Sequence, residues 1–217
     1  MMNSELRQKL SEQGIIAVLV IEDLEHTLPL VQALCDGGVK AVELTLRTPV
    51  ALEAAKLIKK QMPDMVLGIG TVLTQAQVEQ IASIGVDFAV APGCNPKIIN
   101  AAAKCGLPFA PGVATPTDME IALENGCKVM KFFPAEQMGG LKYLEHATMP
   151  YRHLDVSFFP LGGLRVENAG AYLASPLITA IGGSWIAKSD VIRSGHWEKI
   201  TANAKEAMAI VQQTRGQ

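Results

Sequence analysis

The sequence predicts an α/β fold: a single-domain (β/α)8 TIM barrel over residues 1–217, with residues 1–13 as an N-terminal helical extension. Three observations carry that expectation. A short β-branched run, a turn and a helical pattern recur about every 25 residues, the rhythm of a barrel unit. Eight such runs are present, and the length falls somewhat below the roughly 250 residues typical of the fold, which implies short loops and no added domain. No Pro/Ser-rich linker or charge run interrupts the series, and no G-x-G-x-x-G follows the first run to favour the competing doubly wound sheet.

The first strand is expected at 15–20, an unbroken aliphatic run. Helical spacing follows at Leu28, Val31, Leu34 and Cys35, and Gly37-Gly38 ends it where a left-handed cap favours glycine. The second strand, 41–46, alternates two faces, and the third, 66–70, leads into a helix with Val78, Ile81 and Ala82 on one side and Gly85 behind it. Residues 88–91 form the fourth strand, 108–111 the fifth after Gly106, and 129–133 the sixth after Gly126. Segments 156–159 and 177–181 complete the set.

Composition removes several function classes. With 49% apolar and 18% charged residues the chain is too apolar for disorder and long enough to bury a sizeable core. Nineteen basic and 21 acidic residues leave a net charge of −2, which gives no electrostatic reason to expect nucleic acid or an anionic membrane as partner. The longest apolar run covers residues 15–21, against the roughly 20 residues needed to span a bilayer. The polar, charged N-terminus is unlike a secretion signal, and Cys35, Cys94, Cys105 and Cys127 show no C-x-x-C spacing, so reduced thiols in a cytoplasmic protein are expected. The histidines at 26, 146, 153 and 196 lack ligand spacing, so neither a metal nor another cofactor is expected.

Barrel enzymes place their chemistry at the C-terminal ends of the strands. In the second strand Ala41, Glu43 and Thr45 share one face, while Val42, Leu44 and Leu46 share the other. The aliphatic set suits the helices, so Glu43 points inward, where an unpaired carboxylate costs several kcal/mol. It is either half of a structural ion pair, with Arg47 or a lysine, or a general acid/base. In the sixth strand Val129, Lys131 and Phe133 share a face. Burial disfavours the ammonium form of a lysine, and the use for a neutral amine is attack on a carbonyl to form a Schiff base. The alternatives are a lysine that snorkels outward or one that only neutralises Glu43.

The remaining strand ends point to an anionic ligand. Gly162-Gly163 and Gly182-Gly183, the latter followed by Ser184, fall after the seventh and eighth strands, the habitual phosphate site of barrel enzymes. Thr71 offers a hydroxyl and an N–H, and Arg47 a bidentate fork, for a carboxylate; the alternative for each is an ordinary strand or helix terminus. Pro92, Gly93, Pro111 and Gly112 shape the mouth, and Cys94 sits just past the fourth strand with no histidine placed to activate it.

In this order and spacing, Glu-Leu-Thr-Leu-Arg-Thr, Gly-Ile-Gly-Thr-Val-Leu, Lys-Phe-Phe-Pro-Ala-Glu, Gly-Gly-Leu and Gly-Gly-Ser-Trp resemble the bacterial 2-dehydro-3-deoxy-phosphogluconate (KDPG) and 4-hydroxy-2-oxoglutarate (KHG) aldolase family over nearly the whole chain. The resemblance implies that Lys131 holds pyruvate as an imine and enamine and that Glu43 shuttles protons. It further implies that Arg47 and Thr71 bind the pyruvate carboxylate, that Pro92 and Phe133 wall the pocket, and that Gly162, Gly163, Gly183 and Ser184 receive a phosphate. A small phosphorylated 2-oxo acid is the implied partner, with pyruvate and glyceraldehyde 3-phosphate as products in the Entner–Doudoroff route, and a homotrimer the implied assembly.

Two departures bear on the substrate. Members selective for phosphogluconate usually carry threonine where this chain has Leu161, so a hydroxyl that could bind the substrate is replaced by carbon. The segment 149–159 is about two residues longer than in relatives. Both leave the phosphogalactonate stereoisomer open as the natural substrate. Two other classes remain: a barrel phosphosugar isomerase or synthase using Lys131 and Glu43 as acid and base, and a catalytically silent phosphate-ligand binding protein.

Overall fold

The computed structural model describes residues 2–216. Helix α1 (Ser4–Gln13) precedes β1 (Ile15–Leu19), α2 (Thr27–Asp36), β2 (Ala41–Thr45), α3 (Ala51–Gln61), β3 (Val66–Gly70), α4 (Gln75–Ile84), β4 (Phe88–Val90) and α5 (Pro96–Lys104). Two short strands, β5 (Phe109–Ala110) and β6 (Gly112–Val113), lead to α6 (Pro116–Glu124), β7 (Val129–Phe132), α7 (Gly140–Ala147), β8 (Ser157–Pro160), α8 (Val166–Ala174), β9 (Ile181–Gly183), α9 (Ser189–Arg193) and α10 (Trp197–Arg215). All ladders are parallel. They divide into a six-stranded sheet, β5-β4-β3-β2-β1-β9, and a three-stranded sheet, β6-β7-β8, rather than the one eight-membered ring expected.

Each interruption has an identifiable cause. The expected strand 108–111 is split because Pro111 has no N–H for the ladder. Phe109–Ala110 pairs with β4 and Gly112–Val113 with β7, while the Pro111 carbonyl still accepts from the Lys131 N–H at 2.8 Å. The expected strand 177–181 is replaced by a turn and a single bridge, Ile178 to Phe158, with regular pairing beginning at Ile181. The carbonyls of Ile178 and Thr179 are taken instead by the Arg215 guanidinium, at 2.8 and 3.0 Å, which also donates to Ser11 and Leu173 carbonyls.

Alternation along the strands sorts the core into two clusters. Val42, Leu44, Leu67, Ile69, Met130 and Phe132 pack outward with the helices. Ile16, Ala41, Phe88, Val90, Val129 and Phe159 form a second cluster on the opposite face, and α1 inserts Leu6 and Leu10 into it. The predicted N-terminal extension is thus a plug against the strands' far face. On α2 the buried side is Thr27, Leu30, Val31, Ala33 and Leu34, rotated from the expected 28, 31, 34 and 35. The cause is α10: a Cβ on Gly37 would fall on the Ala204 methyl, so the two helices touch there. Within the segment 149–159, a 3-10 turn, Met149–Leu154, ends at Asp155, which ion-pairs with Arg7 of α1 at 2.9 Å. No helix among the described residues is long and apolar enough to cross a membrane.

Arg215 therefore joins α1, the end of α8, the seam between β8 and β9, and α10. Hydrogen bonds from a charged donor contribute about 1.5–3 kcal/mol each before the freed carbonyls rehydrate. Arg215→Ala is expected to lower unfolding stability by about 2–4 kcal/mol in a denaturant titration. A loss below about 0.5 kcal/mol, the scale of an ordinary surface substitution, would show that the seam holds without it.

Candidate active site

A cavity of about 190 Å³ opens at the C-terminal ends of the strands, lined by Glu43, Thr45, Arg47, Thr71, Pro92, Lys131, Phe133, Leu161, Gly162 and Ser184, with Val18 and Gly182. A larger hollow, about 580 Å³, lies at the opposite end against α1 and holds none of the singled-out residues. Size alone does not choose between them. The chemistry of the linings does.

Glu43 and Lys131 come from the inward faces of β2 and β7, which belong to different sheets, and meet through their side chains. The Lys131 Nζ donates to Glu43 Oε1 at 3.0 Å, with side chains only 7% and 3% exposed. Two opposite charges so far from water are tolerated only as a pair, because removing one partner strands the other. Lys131 Nζ also lies 5.3 Å from the centre of the Phe133 ring, whose face attracts a cation. Neighbours on β3 make the room: a Cβ on Gly70 would coincide with Glu43 Oε1 and lie 2.7 Å from its Cδ. On the same face, the space in front of Gly68 is filled by the Phe88 ring.

Arg47 makes no ion pair among the described residues. Its Nε donates to Thr45 Oγ1 at 3.1 Å, and the Thr45 hydroxyl donates to the Leu19 carbonyl at 3.0 Å. That relay fixes the plane of the guanidinium and leaves its terminal nitrogens for a ligand. Thr71 has φ of 62°, a left-handed conformation rare for a β-branched residue. Its N–H has no hydrogen-bond partner among the described residues. Such strain, located at a cavity wall, is characteristic of binding sites.

At the far side, Gly162 and Gly163 have φ of 96° and 81°. The carbonyls of Leu161, Gly162 and Gly163 accept hydrogen bonds from Ala135, Glu136 and the Asn168 side chain. The N–H groups of Gly162, Gly163, Leu164 and Ser184 find no partner among the described residues. Consecutive unpartnered N–H groups in this conformation form an anion-binding nest.

Nine of the eleven singled-out positions line the cavity, and Gly163 and Gly183 do not. Gly163 contributes its unpartnered N–H just outside the lining. Gly183 faces away, and a Cβ there would sit 2.7 Å from the Trp185 ring. Its neighbour Gly182 faces inward under the Leu161 side chain. Period-two counting from Ala180, which lies in the inward cluster, identifies Gly182, and the face already assigned to Glu43 identifies Thr45. Val18 carries no such signal. Cys94 does not line the cavity; burial, reinforced by Asp118, pushes its thiol up to about 12, and burial holds Cys127 at about 11. Neither supplies a thiolate at neutral pH.

A family model described as KDPG and KHG aldolase matches residues 6–203. The 2-dehydro-3-deoxy-phosphogluconate aldolase of Dickeya dadantii is 38% identical over 202 residues, 93% of this chain and 94% of its own. The KHG/KDPG aldolase of Escherichia coli is 37% identical over 194 residues, 89% of this chain and 90% of its own. Among solved structures, the KDPG aldolase of Legionella pneumophila, with pyruvate captured as a covalent carbinolamine intermediate, is 35% identical with a TM-score of 0.88, covering 93% of this chain and 97% of its own.

The niche at Gly70 yields a direct structural test. In a crystal structure of Gly70→Ala, the added methyl should drive the Glu43 carboxylate beyond hydrogen-bond distance of Lys131 Nζ. A pair still at 3.0 Å would show that β3 does not set its geometry.

Proposed function

The chain belongs to the KDPG and KHG aldolase family, and on that premise we propose that it is a lyase cleaving 2-dehydro-3-deoxy-6-phosphogluconate to pyruvate and glyceraldehyde 3-phosphate through an imine on Lys131. The observation that carries the proposal is the buried Lys131–Glu43 pair at the floor of the cavity. An amine attacks a carbonyl only when unprotonated, and Glu43, 3.0 Å away, is the base positioned to take its proton.

In this reading Lys131 Nζ adds to the substrate C2 carbonyl, and Glu43, directly or through a water, protonates the departing C2 hydroxyl. The resulting iminium is the electron sink. Loss of the C4 hydroxyl proton to Glu43 breaks the C3–C4 bond; its electron pair forms the enamine and the aldehyde leaves. The enamine then takes a proton at C3, and water at C2 releases pyruvate and restores the amine. Arg47, aligned by Thr45, and the Thr71 N–H hold the carboxylate. Pro92 and Phe133 wall the reacting carbons, while Gly162, Gly163 and Ser184 hold the phosphate.

The same residues serve 4-hydroxy-2-oxoglutarate, which shares the 2-oxo acid end and has a 4-hydroxyl to lose, and the Escherichia coli relative's name supports that second substrate. Leu161 favours relaxed choice at C4, because it brings carbon to the cavity wall where a hydroxyl could discriminate. The strand order, with Pro111 linking β5 to β6 and the Ile178 bridge linking β8 towards β9, supports one closed (β/α)8 barrel. Family membership supports a cytoplasmic homotrimer.

A coupled assay of pyruvate release over the phosphogluconate, phosphogalactonate and hydroxyoxoglutarate substrates tests the proposal. Wild type should release pyruvate, and Lys131→Arg should be inactive while folded, because a guanidinium stays protonated and cannot attack. Turnover by Lys131→Arg, or isomerisation of a phosphosugar without pyruvate, would refute it. In the same assay Glu43→Gln should lose about 10²–10⁴-fold in kcat, the usual contribution of an acid–base group. A near-normal rate would assign the proton shuttle elsewhere.

A further inference from the structure

Glu136 closes the Lys-Phe-Phe-Pro-Ala-Glu segment and takes no part in the chemistry above. It begins the 3-10 turn Glu136–Met138 that follows β7. Its carboxylate accepts a hydrogen bond of 2.6 Å from the hydroxyl of Tyr172, a residue of α8 only 2% exposed. No cation pairs with Glu136 among the described residues, so the phenol is its side-chain partner. Burial, reinforced by the carboxylate, pushes the Tyr172 phenol up, which keeps it a donor.

The backbone around this bond is the underside of the glycine nest. Ala135 N–H donates to the Leu161 carbonyl at 2.7 Å, and Glu136 N–H to the Gly162 carbonyl at 3.0 Å. With carbonyls drawn to that side, the N–H groups of Gly162, Gly163 and Leu164 are left unpartnered. Glu136 packs directly against the nest: a Cβ on Gly163 would lie 2.6 Å from its Cβ. Gly140 clears the tether as well, since a Cβ there would come within 3.0 Å of Glu136 Oε1 and 3.4 Å of the Tyr172 oxygen.

We infer that Glu136 and Tyr172 are positioning residues for the phosphate end of the substrate: their hydrogen bond fixes the turn whose N–H groups hold the Gly162-Gly163 nest in its anion-binding form. The inference rests on the reading of that nest as the phosphate site. Tyr172 also gives the half-buried Glu136 carboxylate a hydrogen-bond donor, which holds it in one orientation against the turn.

Two activities separate this role from general stability. Cleavage of 2-dehydro-3-deoxy-6-phosphogluconate uses the nest, whereas exchange of pyruvate C3 protons with D2O uses Lys131 and Glu43 but carries no phosphate. Tyr172→Phe should raise KM for the phosphorylated substrate about 5–10-fold, the scale of one hydrogen bond, with pyruvate exchange within about twofold of wild type. Glu136→Ala should reproduce that pattern and serves as the test should Tyr172→Phe not fold. Glu136→Gln keeps an acceptor and should restore a KM near wild type. Equal losses in both activities, or an unchanged KM, would overturn the inference. Inorganic phosphate should compete with the phosphorylated substrate in wild type; failure to compete would remove the nest itself as the phosphate site, independently of either variant.

Discussion

The arrangement of the strand ends depends on one constraint: a lysine and a glutamate are buried together, almost without solvent, on facing strands. Separated, either would be a stranded charge, with a penalty of several kcal/mol. Held at 3.0 Å, they are a satisfied pair, and in the proposed reaction they divide the work of nucleophile and base. The surroundings are shaped to that requirement. β3 presents glycine at positions 68 and 70, and the vacated volume is filled by the Phe88 ring and the Glu43 carboxylate. Helix α1 closes the other end with Leu6 and Leu10, so access to the pair runs through the cavity at the strand ends.

Around that floor, unpartnered donors face the cavity from a side chain and from the backbone. On one side stands Arg47, held by the Thr45 hydroxyl, which is itself committed to Leu19. The other end has N–H groups released by positive-φ glycines whose carbonyls are engaged elsewhere. Each arrangement is set by a hydrogen bond from a neighbouring residue: Thr45 for Arg47, and Ala135 and Glu136 for the glycines. A local site of this kind needs no global charge, in keeping with a chain whose net charge is only −2.

Much of this was legible in the sequence because period two is a strict rule. Once Val42 and Leu44 are assigned to the helices, Glu43 must face inward, and Met130 and Phe132 place Lys131 in the same way. What escaped the sequence depends on distant partners. The segment 177–181 has the composition of a strand, but the carbonyls of Ile178 and Thr179 are claimed by Arg215, near the C-terminus. The burial of α2 is rotated by contact with α10. Pro111 was visible, yet its effect, giving the two halves of one strand to different sheets, emerges only from the pairing. Gly182 and Gly183 are adjacent and identical in type, and only the direction of each on the strand sends the first under Leu161 at the cavity and the second against Trp185.

In the proposed reaction Lys131 is the covalent nucleophile of a pair poised with Glu43. Incubation with pyruvate and borohydride, followed by mass spectrometry of the digested protein, tests it most directly. The account predicts irreversible inactivation and a carboxyethyl group on Lys131 alone. An unmodified Lys131 in an enzyme that still releases pyruvate, or an adduct on another lysine that tracks the loss of activity, would contradict it.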